Sequence, residues 1–336
     1  REMDDPKVGP QLITLGDCPV WRRNDPKSEK LVWNGACNRL KAYEMMSCYQ
    51  GLLEYYEVTG RTDCLEAARK TAESIVADEI NLAGGSCSSE HWFHGAVKQH
   101  LQYVHLQETC VTITWMRLLE KLSRLTDDPK WADEMERTFF NAYLASMNPD
   151  GSTFATYTPL SGYRSYGYNH CRMDTNCCKV NGPRGYLAFL ESVLTAEGDK
   201  VFVNQYVAGS AEIDGVKIRQ YTKYPRRGNV QLWYDSQETK TFTLALRIPA
   251  FSAKTAMNLR NGLEMIVSGT PISPTTCVSG STAPSSSIGT YFGTIQRPTN
   301  MLMTSPKRCA TKRRIVYHHR SPSFAWIFLP NVIFKI

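Results

Sequence analysis

The hydrophobic period of this chain changes once, near Asp199, from the helical to the extended pattern. That switch limits the fold to helices followed by strands. From Ala42 the apolar positions run Ala42, Met45, Met46, Tyr49, Leu52, Leu53 and Tyr56, the stripe of an amphipathic helix, and Val58-Thr59-Gly60 stops it. Leu65, Ala68, Ala72, Ile75 and Val76 continue as a second helix and close a hairpin. Val111 to Leu125 and Trp131 to Met147 repeat the arrangement across a turn at Thr126-Asp127-Asp128-Pro129. Gly51-Leu-Leu-Glu54 aligns with Arg117-Leu-Leu-Glu120 at an offset of 66 residues. Repeating two-helix units bury their apolar faces against one another in a solenoid or a closed toroid. Asn181 to Thr195, with Leu187, Leu190 and Leu194 on one face, adds a further helix.

After the switch, Phe242, Leu244, Leu246 and Ile248 alternate with Thr241, Thr243, Ala245 and Arg247, the mark of a half-buried strand. Val201–Val207, Val216–Tyr221 and Val230–Tyr234 read as its companions, set off by Asp-Gly and Arg-Gly-Asn turns. The expected fold is therefore mostly α: a helical α/α domain over residues 1–205, then an antiparallel β domain that starts at 206–255. Residues 256–336 keep neither period, are rich in Ser, Thr, Pro and Arg, and end in the apolar run Phe324 to Ile336. A disordered tail does not usually finish that way, so a discontinuity in the sequence explains the segment as well as disorder does.

The net charge of +7 raises nucleic-acid binding as a function class, and its distribution argues against it. Nine of the 39 basic residues but only one of the 32 acidic ones, Glu264, lie beyond Thr255, which leaves 30 against 31 in the remainder. The basic excess thus belongs to one terminal segment. No apolar run reaches membrane-spanning length, so neither nucleic acid nor membrane is expected as a partner. The opening Arg1-Glu-Met-Asp-Asp5 does not read as a signal peptide, and the compartment stays open.

Eleven cysteines, two of them adjacent at Cys177 and Cys178, do not suit a complete disulfide framework. Glu108-Thr109-Cys110 and Asn176-Cys177-Cys178 together offer three thiols and one carboxylate, a full tetrahedral ligand set for Zn2+. Residues two apart on a helix point roughly 200° apart, so Glu108 can share an ion with Cys110 only at or before the first turn. A vicinal disulfide or buried inert thiols are equally open on these residues alone.

Four stretches carry a resemblance. The run Ala42-Tyr-Glu-Met-Met-Ser-Cys-Tyr-Gln-Gly-Leu-Leu-Glu54, the motif Gln107-Glu-Thr-Cys110, Tyr157-Thr-Pro-Leu-Ser-Gly162 and Asn176-Cys-Cys-Lys-Val-Asn-Gly-Pro-Arg-Gly185 stand in order along the chain. Together they resemble glycoside hydrolase family 127, the β-L-arabinofuranosidase-like enzymes. The resemblance implies an (α/α)6 toroid followed by β-sandwich domains, incomplete here at its amino-terminal side because only about two and a half hairpins are legible. An opened toroid would expose apolar faces and favour aggregation.

Zinc bound by Glu108, Cys110, Cys177 and Cys178 follows from the resemblance, as does Cys177 as the nucleophile at the anomeric carbon. Metal-held thiols are deprotonated, and four anionic ligands around one divalent ion would leave sulfur nucleophilic and favour a cationic, oxocarbenium-like transition state. Glu90, in Ser88-Ser-Glu-His-Trp-Phe93 after Gly84-Gly85, is the expected general acid/base, although its spacing to Glu108 is slightly longer than in the best-known branch. Where that branch has a further Cys, this chain has Thr175, with Cys171 close by. His91 and Tyr157 are candidate substrate-binding residues, with Arg184 as a third that could equally form a structural salt bridge. His94 could also line the pocket, and His170 is an alternative ligand in place of Glu108. The expected activity is retaining hydrolysis of a terminal β-L-arabinofuranoside or related plant-wall sugar in a glycan substrate. A non-catalytic protein with a structural zinc site, or an inactive fragment of the enzyme, is the competing reading.

Overall fold

The computed structural model describes residues 41–99, 105–126, 128–167, 175–213, 215–236 and 241–252, with strands at 254–259, 264–268, 277–279, 290–296, 312–314 and 325–333. Cys171 and His170 lie outside the described residues. Of those described, residues up to 126 and from 134 to 189 form one compact unit, and 128–133 with those from 190 onward form the other.

Helices build the first unit. α1 (Ala42–Thr59) buries Ala42, Met45, Met46, Tyr49, Leu52 and Leu53, most of the stripe legible in the sequence. Gly60 ends it in the left-handed region at φ 71°, where a side chain would be strained, and its N–H returns 2.7 Å to the Tyr56 carbonyl. α2 (Thr62–Asp78) completes the hairpin. A short α3 (Gly95–Lys98) precedes α4 (Thr109–Leu125), whose residues from Thr109 to Met116 are all buried. Such a helix can lie in the core only if its hydroxyls are satisfied internally: Thr109 donates to the Ala155 carbonyl at 2.6 Å and Thr114 to that of Cys110 at 2.9 Å.

The helix expected from Trp131 to Met147 is interrupted. α5 (Lys130–Arg137) passes through a π-helical segment at Thr138–Tyr143 before α6 (Leu144–Ser146). Phe139 in that segment stacks on Phe189 with centroids 3.7 Å apart, and the widened turn sets Tyr143 beside Phe154 and Tyr186. α7 (Cys177–Asn181) and α8 (Arg184–Val193) end the helical part. The stretch expected to continue as helix to Thr195 instead turns extended at Leu194.

The second unit is largely β. β1 (Leu194–Glu197), β2 (Lys200–Val203), β3 (Gly209–Ile213), β4 (Val216–Thr222), β5 (Asn229–Ser236), β6 (Thr241–Ile248), β7 (Lys254–Leu259), β8 (Glu264–Ser268), β9 (Cys277–Ser279), β10 (Thr290–Gln296), β11 (Lys312–Arg314) and β12 (Ala325–Ile333) form three sheets. Their orders are β1-β2-β6-β12, β3-β4-β5-β10-β7-β8 and β11-β9. All neighbours are antiparallel except β2 and β6. The segment after Thr255, which shows no sequence period, supplies strands to each sheet, and the register of β12 on β6 shifts between Leu329 and Val332, around Pro330, which has no N–H to give the ladder.

β6 departs from the half-buried strand expected from its alternation, because Ala245 and Arg247 are as buried as Leu244 and Leu246. Arg247 has no exposed surface; it forms an ion pair with Asp133 at the start of α5 and donates to the Asn204 carbonyl. A buried guanidinium paired in this way makes the polar face of the strand an interior face.

Candidate metal centre and active site

Glu108 is the N-cap of α4, with extended backbone angles of −60° and 131°, so its side chain leaves the helix before the first turn. This is the placement required for Glu108 and Cys110 to face one ion. An antiparallel bridge to Tyr157 and the 2.9 Å hydrogen bond from Thr109 N–H to the Thr156 carbonyl fix it there. Cys177 and Cys178 begin α7, capped by Asn176, whose side-chain oxygen accepts from Lys179 N–H at 3.0 Å. The Asn176 amide also donates to the Tyr166 carbonyl at 2.8 Å, which ties the cysteine turn to the preceding loop.

These two termini bring four ligand atoms together: one carboxylate oxygen of Glu108 and the sulfurs of Cys110, Cys177 and Cys178 all lie within 4.8 Å of one another. Cys177 Sγ and Cys178 Sγ are 3.9 Å apart, far beyond the ~2.05 Å of a disulfide bond. Cys178 Sγ lies 3.6 Å from Glu108 Oε1. Tetrahedral zinc with sulfur at about 2.3 Å places ligand atoms roughly 3.8 Å apart, so both pairs already have the right separation.

The donor set also suits a cation. Glu108 is buried, and its Oε2 has no hydrogen-bond partner. Burial, and then the charge of Glu90, push its carboxyl up to about 8. Burial, with Cys178 next, lifts the Cys177 thiol to about 11, and contact with Cys110 together with burial holds Cys178 far above the usual thiol range. Acids that suppress one another's ionisation are what a divalent ion relieves, and the residues present fit one. Three of the four ligands are buried, whereas Cys177 is exposed.

Glu90 occupies a strained turn. Ser88 and His91 exchange backbone hydrogen bonds of 2.9 and 3.0 Å, while Ser89 and Glu90 between them have φ of 46° and 69°, a type I′ geometry that normally selects Asn or Gly. Cys87, His94 and Gln107 are also left-handed, so among the described residues those other than glycine with positive φ cluster around this site. Lys41 Nζ meets Glu90 Oε2 at 2.6 Å, and the Glu90 carbonyl accepts from Ala42 N–H at 2.8 Å.

His91 turns its Nδ1 to the Ser89 carbonyl at 2.7 Å, and His94 Nε2 lies 3.9 Å from Asp78. Tyr157 adjoins Glu108 in the bridge and packs against His105 at 4.7 Å; burial and the Glu108 charge hold its phenol above the usual range. Arg184 is exposed and donates to Asn181 Oδ1 at 3.1 Å. Sequence reasoning missed Lys41 and Glu79 and gave Asn176, part of the cysteine motif, no role of its own. Only Asn176 carried a signal, as an N-cap residue directly before a helical run.

Helices that present one carboxylate and three thiols, followed by largely antiparallel sheets, define a helical-plus-β protein with a thiol-rich site able to hold a metal. Comparison with known proteins gives the family. The profile of the β-L-arabinofuranosidase GH127 catalytic domain matches residues 23–191 and that of the GH127 middle domain residues 200–280. The chain belongs to glycoside hydrolase family 127. It is 25% identical over 181 residues to a non-reducing end β-L-arabinofuranosidase of Bifidobacterium longum subsp. longum, a match covering 49% of this chain and 26% of that relative. Among solved structures, a GH127 β-L-arabinofuranosidase from Geobacillus stearothermophilus T6 superposes with a TM-score of 0.60 at 19% identity, covering 86% of this chain and 51% of the other. A GH127 β-arabinofuranosidase superposes with 0.57 at 20% identity, covering 76% and 43%. The chain thus spans about a quarter of the length of the curated relative it matches and about half of the structural ones.

Proposed function

We propose that this chain carries the catalytic centre of a retaining glycoside hydrolase that removes terminal β-L-arabinofuranose, or a related plant-wall sugar, from a glycan. The helical part is then a portion of an (α/α)6 toroid over 1–205, and a β-sandwich begins at 206–255. One observation supports catalysis over a structural metal site. Four protein side chains would fill a tetrahedral zinc, so catalysis here needs a ligand atom that substrate can reach, and one sulfur of the cluster, Cys177, faces solvent while its three companions are buried.

Glu108, Cys110, Cys177 and Cys178 would hold zinc, whose contribution is to keep the thiols ionised at neutral pH. Cys177 Sγ then attacks the anomeric carbon while Glu90 gives its proton to the departing glycosidic oxygen, leaving the sugar bound through sulfur. Glu90, now ionised, takes a proton from water as that water attacks the same carbon, and Cys177 departs as the thiolate. Glu108 is buried at the cluster, and the half-buried Tyr157 adjoins it across the backbone bridge.

Metal analysis and mass spectrometry after incubation with an activated arabinofuranoside test this reading. The expectation is close to one zinc per chain and a sugar adduct on Cys177 that accumulates in Glu90→Gln. Stoichiometric zinc without hydrolysis or adduct would move the site to the structural class.

A further inference from the structure

We propose that Glu79 is a positioning residue for the acid/base loop: its buried carboxylate gathers the N–H groups of Phe93, His94 and Gly95 and so fixes the segment that carries Glu90. The proposal rests on the role assigned above to Glu90.

Glu79 follows α2 and has no exposed surface. Its Oε2 accepts from Phe93 N–H and Gly95 N–H, each at 3.1 Å, and its Oε1 from His94 N–H at 2.9 Å. Among the described residues no cation pairs with it. Three successive N–H groups converge on one anion only if the backbone reverses between them, and His94, left-handed at φ 64°, supplies that reversal. An anion-binding nest is therefore filled by a carboxylate of the same chain. Gly95 lets the cradle close, since a Cβ there would stand 2.6 Å from the Glu79 carbonyl oxygen and 2.7 Å from the Phe93 ring.

This anchor lies three residues beyond Glu90. Upstream, the turn is tied to α1 by the Ala42 hydrogen bond to the Glu90 carbonyl and to the following segment by Ser89 N–H on the His105 carbonyl at 3.0 Å. Between turn and anchor, Trp92 is buried with Nε1 3.1 Å from Met45 Sδ. A turn held open in left-handed geometry relaxes unless both ends are fixed. The downstream end is fixed by Glu79 and Trp92, and of the two only Glu79 holds backbone. A small displacement of a proton donor lowers the rate most where the leaving group needs protonation.

The test uses the full chain as wild type, Glu79→Gln and Gly95→Ala, the last disturbing the cradle without touching the carboxylate. Hydrogen exchange should rise in peptides spanning 88–95 in both variants and stay unchanged in peptides from 42–59 and 109–125. Hydrolysis of an alkyl β-L-arabinofuranoside should fall at least tenfold, and that of the 4-nitrophenyl glycoside less than about threefold, because nitrophenolate leaves without acid assistance. Unchanged exchange in 88–95 overturns the anchoring. Equal loss on both substrates overturns the positioning role and leaves a merely structural one. A wild-type chain that hydrolyses neither glycoside overturns the proposed function, and with it the link to catalysis, while exchange still decides the anchoring.

Discussion

Glu108 and Glu79 are two buried carboxylates with opposite solutions to the same cost. Glu79 is satisfied by three backbone N–H groups, whereas Glu108 keeps an oxygen without a partner beside three sulfurs. Glu108→Gln should therefore raise the melting temperature of metal-free protein, by about 1–3 kcal/mol of stability, and weaken zinc binding. Calorimetry with and without zinc checks both signs. Glu79 also sets a pH dependence. Burial, aided by the charge of Asp78, outweighs the three donors and lifts its carboxyl from 4.5 to about 7. A carboxyl raised in the folded state binds its proton more tightly there than in the unfolded chain, so its contribution is full below pH 4.5 and is lost as pH rises to 7. The loss is on the order of 3 kcal/mol. Urea denaturation across that interval should show a steeper decline for wild type than for Glu79→Gln. Glu108, Cys110, Cys177 and Cys178 were legible as a possible metal set from their residue types, but only the resemblance favoured that reading over a vicinal disulfide or inert thiols. Glu79 was not legible, because its partners are main-chain groups brought to it by a left-handed turn that no residue in His94-Gly95-Ala96 announces.

At the scale of elements, the cysteine turn is held by close packing of glycines against aromatic rings. A Cβ on Gly182 would meet the Phe154 ring at 2.1 Å, and one on Gly185 the Tyr143 ring at 2.2 Å. Tyr143 also donates to the Gly182 carbonyl at 2.8 Å. Gly185→Ala should consequently push α8 off the π-helical segment, costing about 1–3 kcal/mol and lowering zinc affinity through the displaced Cys177 and Cys178. Thermal denaturation and a zinc competition assay would show the two effects together; lost stability with unchanged affinity would mean that the cysteine turn does not depend on this contact. Helices α1, α2 and α4 were legible from their stripes. The π-helical insertion was not, since Thr138 to Tyr143 continues an acceptable helical pattern and the extra residue is selected by the stack of Phe139 on Phe189, a contact between segments 50 residues apart.

For the whole molecule, the period switch near Asp199 gave the change from helix to strand, because periodicity reports which faces are buried whatever covers them. It could not report β6, whose second face is polar in sequence yet interior in structure. Nor did it reach the strands after Thr255, whose partners lie far away in the chain. The start of α5 clusters with the β unit and carries Asp133, which sits against Arg247 within that unit. Tyr206 flanks the same guanidinium at 5.9 Å, and Gln205 Nε2 donates to the Ala132 carbonyl at 2.8 Å, so one buried ion pair is the centre of a wider polar junction. Removing one partner of such a pair leaves a charge in the interior, and Asp133→Ala should destabilise by about 3–5 kcal/mol. Replacing Arg247 by Met in the same chain should recover most of that loss, because the stranded charge disappears and the methionine refills much of the volume. If the double variant is no more stable than Asp133→Ala alone, the ion pair is not the term that matters, and the contacts of Arg247 with the Asn204 carbonyl and Gln205 Oε1 carry the junction instead.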